Sequence, residues 1–179
     1  MKRRDFIIQG TTALGMLGVS GKPNFVRLFS FFPYQAYLTV NEDELLSDVL
    51  EVLFPHEADS PGASDLGAIF YFRWLFTDPL TSDDDKERIR HGLVQFQKYL
   101  SKNGIAVYRE LSLEKQGEIF SRYLENEKHE RWAGHVMTFL FEALLGDPVY
   151  GGNREMLAWK WLEHIPGFPR ISKPLEIRR

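Results

Sequence analysis

Apolar residues recur along most of this chain at intervals of three and four, the spacing that puts them on one face of an α-helix. The first clear run opens near Asn41. Leu45, Leu46, Val49, Leu50 and Leu53 follow at helical spacing, and Pro55 stops the run. Asn41 is expected to cap this helix, with Glu44 three residues later completing a capping box. The segment PHEADSPGASDLG is rich in Pro, Gly, Ser and Asp and reads as a loop. Ser64 or Asp65 is expected to cap the helix behind it, LGAIFYFRWLF, which is apolar nearly all round, as a central or partner-covered helix would be.

A third helix is predicted from Ser82 or Asp83. Asp83, Asp84 and Asp85 place negative charge over its unsatisfied amides, Ile89, Leu93, Phe96 and Leu100 mark its inner face, and Gly104 ends it. The acidic triplet lacks the alternating oxygen ligands and closing Glu of a calcium loop, so helix-end charge is the better account. Ser112 opens a shorter helix through about Glu125, with Ile119, Phe120, Tyr123 and Leu124 inward. A fifth begins in NEKHERW and runs through Val136, Phe139, Leu140, Leu144 and Leu145 to Gly146. A last short helix is expected over roughly Glu155 to Glu163, followed by an irregular tail after Pro166. No stretch of strong alternation competes with these helices. The pattern therefore predicts an all-α fold, an irregular bundle of about five or six helices.

Before the bundle the pattern changes twice. Lys2, Arg3 and Arg4 precede Asp5, Phe6 and a mild apolar stretch, IIQGTTALGMLGVSG, the layout of an export leader. At about 15 residues the stretch falls short of the roughly 20 needed to span a bilayer. Arg3, Arg4 and Phe6 resemble the twin-arginine export motif, although Lys2 stands where a Ser or Thr is usual and Ile7 and Ile8 replace Leu and Lys. No clean A-x-A cleavage triplet follows. Next comes NFVRLFSFFPYQAYL, apolar and aromatic without a clean period. The expected organisation is a leader over 1–23, an aromatic arm over 24–40 and one helical domain over 41–179. The resulting expectation is export in the folded state, to the periplasm or the outer face of the cytoplasmic membrane.

Composition narrows the function. Setting aside Lys2, Arg3, Arg4 and Asp5 takes the 22 basic and 25 acidic residues to 19 and 24, and the formal charge from −3 to −5. A mildly acidic body argues against nucleic acid as partner. The chain has no cysteine, which excludes disulfides, thiolate metal sites, covalent c-type haem attachment and a cysteine nucleophile. Aromatic residues reach 14%, in keeping with a large core, a protein interface, or both.

Candidate chemistry is sparse. His129 and His135 are six apart and diverge on a helix, and no HExxH, P-loop, G-x-S-x-G elbow or dinucleotide fingerprint is present. His129 with Glu130, or His56 with Glu57 and Asp59, are the remaining metal-ligand candidates, and ordinary surface histidines are the plainer reading. No catalytic, metal-binding or cofactor-binding residue is assigned. The concentrated feature is LLGDPVYGGNREMLAWKWLEHIPGFP. Asp147 and Pro148 suit a turn, Gly151 and Gly152 permit unusual backbone, Asn153 can cap the helix bearing Trp159 and Trp161, and Pro166 and Gly167 make a second turn. Such an element either closes the bundle or docks on something else.

Those residues carry a family resemblance. Together with Arg3 and Arg4, the LFP of Leu53, Phe54 and Pro55, and the central helical span, the D-P-x-Y-G-G-N element resembles the small subunit of gluconate 2-dehydrogenase and related sugar and polyol dehydrogenases. The matching positions are Asp147, Pro148, Tyr150, Gly151, Gly152, Asn153, Trp159, Pro166 and Gly167, with Ala158 where relatives often have Gly. The resemblance implies a non-catalytic subunit of a membrane-associated complex. Its large flavoprotein partner, similar to glucose-methanol-choline oxidoreductases, would hold FAD and oxidise the sugar, and a multihaem cytochrome c subunit would take the electrons. The small subunit would carry the export signal through the twin-arginine translocation machinery and escort and stabilise the flavoprotein. The alternatives are an independent exported helical binding protein and a metal-dependent enzyme.

Overall fold

The computed structural model describes residues 38–170 and 172–173. The leader, with Arg3, Arg4 and Phe6, and the arm up to residue 37 lie outside the described residues, as do residue 171 and residues 174–179.

The fold is all-α, and among the described residues there is no strand. Helix α1 spans Val40–Leu53, and its cap is Thr39 rather than Asn41. The Thr39 hydroxyl accepts from the Glu42 amide at 3.2 Å, while the Glu42 carboxylate accepts from the Thr39 amide at 2.8 Å, a complete capping box two residues ahead of the expected one. Helix α2 spans Ala68–Thr77 and starts at Gly67 without a side-chain cap. Neither Ser64 nor Asp65 caps it, and the Asp65 carboxylate is taken up by the preceding loop. The Ser64 amide donates to Glu51 at 2.9 Å, and Asp65 accepts from the Gly62 amide at 2.8 Å and from His56 Nδ1 at 2.7 Å.

Helix α3, Asp83–Lys102, is capped by Ser82 as the sequence suggests, and Ile89, Leu93, Phe96 and Leu100 are all buried. A 3-10 turn at Tyr108–Glu110 leads to α4, Leu113–Leu124, capped by Ser112. Helix α5, Glu127–Leu145, is central and packs on α2, α3 and α4. Helix α1 lies across α2, α3 and α4. Two 3-10 turns, Pro148–Tyr150 and Arg154–Met156, connect α5 to α6. Helix α6 is only Leu157–Trp161 and packs on α5. It is shorter than the expected Glu155 to Glu163, because Glu155 and Met156 have positive φ (56° and 59°) and Glu163 turns out at φ 54°.

Phe96 is the hub of the core, with Tyr108, Phe120 and Tyr123 packed around it at centroid distances of 4.8–5.3 Å. Among the described residues, most rings are thus packed in or against the core. Between α1 and α2, Arg73 grips Asp43 with two hydrogen bonds of 2.8 and 2.7 Å, the paired geometry that suits guanidinium and carboxylate. No helix among the described residues is long and apolar enough to cross a membrane.

Candidate docking site

The α5–α6 connection gathers nearly all of the singled-out residues at one end of the bundle. Asp147 caps the first 3-10 turn, accepting from the Val149 amide at 3.1 Å, with Pro148 at a position that needs no amide donor. Tyr150 lays its ring 4.6 Å from that of Trp74 on α2. Gly151 adopts φ 97°, and a β-carbon there would stand 2.9 Å from the backbone carbonyl of Phe70. At Gly152 a β-carbon would fall 2.2 Å from the carbonyl oxygen of Ala143. The pair is therefore a backbone wedge between α2 and α5. Conformational freedom explains Gly151, and close approach explains Gly152.

Behind the wedge, polar side chains satisfy the end of α5. The last carbonyls of a helix have no partner within it. Trp159 Nε1 donates to the carbonyl of Leu145 at 2.8 Å, and Asn153 Nδ2 donates to that of Gly146 at 3.1 Å. The Asn153 oxygen accepts from the Ala158 amide in the first turn of α6 at 3.0 Å. Asn153 thus serves the helix it was expected to cap, from further back, and the α5 terminus as well. It is fully buried with φ 44°, a left-handed conformation that Asn tolerates better than most residues. Ala158 is buried.

The tail closes the same corner through a residue that the sequence reading missed. Arg170 reaches back to Asp147 with two hydrogen bonds of 3.1 and 3.2 Å, and its guanidinium lies 5.1 Å from the Trp159 ring. Burial raises the Asp147 carboxyl pKa, but the Arg170 guanidinium and the Val149 amide outweigh it and hold the group below its ordinary range. Pro166 is half-buried, whereas Gly167 is exposed with open space where a β-carbon would stand. Of the nine singled-out positions, Gly167 has no packing reason to be glycine.

The outer side of this corner is apolar. A groove of about 610 Å³ is lined by Leu145, Trp159, Leu162 and Ile165, with Glu163 and His164. Leu145 is 52% exposed, Leu162 47% and Ile165 85%. Phe168, three residues on, is 83% exposed, and Phe141 lies exposed one turn before Leu145 on the same face of α5. Exposed aliphatic and aromatic side chains grouped over a hydrogen-bonded backbone make this corner a candidate docking surface.

The histidine candidates do not converge. His56 Nδ1 meets Asp65 rather than Glu57 and Asp59, and His129 Nδ1 meets the carbonyl of Tyr123 at 2.8 Å. Among the described residues no group of three or more His, Cys, Asp or Glu side chains is placed to hold a metal ion.

No curated protein and no solved structure matches the chain. Residues 41–167 match the sequence model of one family, described as gluconate 2-dehydrogenase subunit 3. The match covers α1 to the Pro166–Gly167 turn, hence the whole helical bundle and every singled-out residue of the α5–α6 corner. The family is that of a subunit of a dehydrogenase complex. By that match the chain belongs to the gluconate 2-dehydrogenase subunit 3 family.

Proposed function

We propose that this chain is the non-catalytic escort and stabilising subunit of an exported, membrane-associated dehydrogenase, with FAD in a flavoprotein partner that oxidises a sugar or polyol. The observation that carries this reading is the exposed apolar groove of Leu145, Leu162 and Ile165, built on the α5–α6 corner that the family match includes. Burying it on the flavoprotein would stabilise both chains by mass action, since a ligand that binds only the folded state shifts the folding equilibrium. Arg3 and Arg4 would direct the pair to the twin-arginine machinery, which carries folded cargo and so allows FAD to be loaded first. A cytochrome c subunit would accept the electrons on the outer side of the membrane.

The test is capture of tagged full-length protein from cytoplasmic and periplasmic fractions of its host, with an absorbance scan for flavin and haem. The expected result is a flavoprotein that co-purifies, fails to reach the periplasm when Arg3 and Arg4 are both changed to Lys, and is lost when Ile165 is changed to Asp. A colourless monomer from both fractions would overturn the reading in favour of an independent binding domain.

A further inference from the structure

Away from the α5–α6 corner, a second cleft of about 460 Å³ opens between α3 and the first turns of α5. Its position follows from one close contact. The Trp132 ring on α5 lies directly on the backbone of Gly92 in α3, where a β-carbon would come within 2.0 Å of the indole nitrogen. Trp132 Nε1 donates to the Ile89 carbonyl at 3.2 Å, which fixes the ring in that seat. Beside it, Tyr123 and His129 stack face to face with centroids 3.9 Å apart and planes 8° from parallel. These three rings line one side of the cleft.

Arg88, Lys128 and Arg131 line it as well, with His91, and no carboxylate does. In a chain with more acidic than basic residues this is a local reversal of charge. Neither Arg88 nor Lys128 makes an ion pair with any described residue, and Arg131 has only a solvent-exposed contact of 3.6 Å with Glu127. The lining also contains an unused donor. Tyr123 is 2% exposed, and its hydroxyl has no hydrogen-bond partner among the described residues. Burial pushes its pKa up to about 12, so it keeps its proton at neutral pH.

We propose that this cleft binds a small planar carboxylate, with its ring against His129 and the exposed edge of Trp132 and its carboxylate toward Arg88 and Lys128. The volume falls in the range of small-molecule sites, roughly 300–1,000 Å³. A bare inorganic anion would leave the ring surface unused. A cation would meet Arg88, Lys128 and Arg131, and nucleic acid would need a basic stripe longer than one cleft. The inference does not depend on the escort reading and involves a different face of α5.

The test is a titration of ¹⁵N-labelled full-length protein with 2-naphthoate at low salt, followed at the Trp132 indole and the His129 ring. Controls are the uncharged 2-naphthalenemethanol and inorganic phosphate. The expected result is a saturable shift confined to these groups, with affinity about tenfold weaker for the alcohol and for the Arg88→Gln, Lys128→Gln double variant. A Lys102→Gln variant, at the far end of α3, is expected to bind like the parent. Arg88 and Lys128 are exposed, so the amide spectrum of the double variant should otherwise match the parent. The proposal is overturned by an absence of saturable shift up to about 10 mM naphthoate. It is equally overturned by an unchanged affinity in the double variant, by equal affinity for the alcohol, or by the same shifts from phosphate alone.

Discussion

Gly152 lies against the carbonyl oxygen of Ala143 so closely that a β-carbon at 152 would fall 2.2 Å from it. The contact joins the loop after α5 to the body of α5 itself, and it explains a glycine that no unusual dihedral demands. Gly152→Ala is expected to destabilise the protein by about 3 kcal/mol or more, because the new β-carbon is held by the backbone and meets backbone of α5, and neither can move aside cheaply. Gly134 of α5 is the control. Nothing lies within 4 Å of its β-carbon position, so Gly134→Ala should stabilise by up to about 1 kcal/mol through helix propensity. Urea unfolding of the three proteins measures both.

Asn153 joins two helix ends with one amide. Asn153→Ala would remove the bonds to Gly146 and Ala158 and leave a half-buried carbonyl and a buried amide unsatisfied, at an expected cost of roughly 2–4 kcal/mol. Trp159→Phe would keep most of the ring packing and lose only the bond to Leu145, for about 1 kcal/mol. Equal losses for the two variants in thermal unfolding would contradict this division of labour.

The Asp147–Arg170 pair makes a pH-dependent contribution of known sign. The Asp147 pKa is lowered below 3.8 in the folded protein. Its contribution is therefore fully present above 3.8 and is lost as the pH falls through the lower folded value. Because both side chains retain some exposure, the size should be near or below about 1 kcal/mol. The stability difference between the parent and Arg170→Gln should stay constant from neutral pH to the unfolded pKa and then shrink. A difference unchanged well below that pKa would assign the stabilisation to Arg170 packed over Trp159 instead.

Ile165 is among the most exposed apolar side chains described. Ile165→Asp should leave stability within about 0.5 kcal/mol of the parent, since nothing packed is removed. The same change is expected to weaken capture of the flavoprotein by tenfold or more, or about 1.4 kcal/mol. A variant that captures the flavoprotein like the parent would move the docking surface elsewhere.

Residue periodicity was enough to reveal the helices and most of the inward faces. The Ile89–Leu93–Phe96–Leu100 row is buried as read, and Ser82 and Ser112 cap the helices they precede. The start of α1 was harder to read because Thr39 with Glu42 and Asn41 with Glu44 both offer a cap and an acid three residues later. Local chemistry does not separate them. At α2 the local signal misled, since the Asp65 carboxylate is engaged by Gly62 and His56 in the loop and the helix begins only at Gly67.

By itself, then, the sequence determined the fold class and the helix order and marked the Asp147–Asn153 element as unusual, because periodicity, capping and turn chemistry act over a few residues. Tertiary structure alone decided what that element does. Gly152 faces Ala143, Arg170 returns to Asp147 across 23 residues, and Gly92 receives Trp132 from another helix. Each depends on where two distant backbones cross, and a crossing leaves no local pattern beyond a glycine that helix propensity would not choose. The face of α5 that Leu145 presents was settled in the same way, by where the other described helices pack on α5.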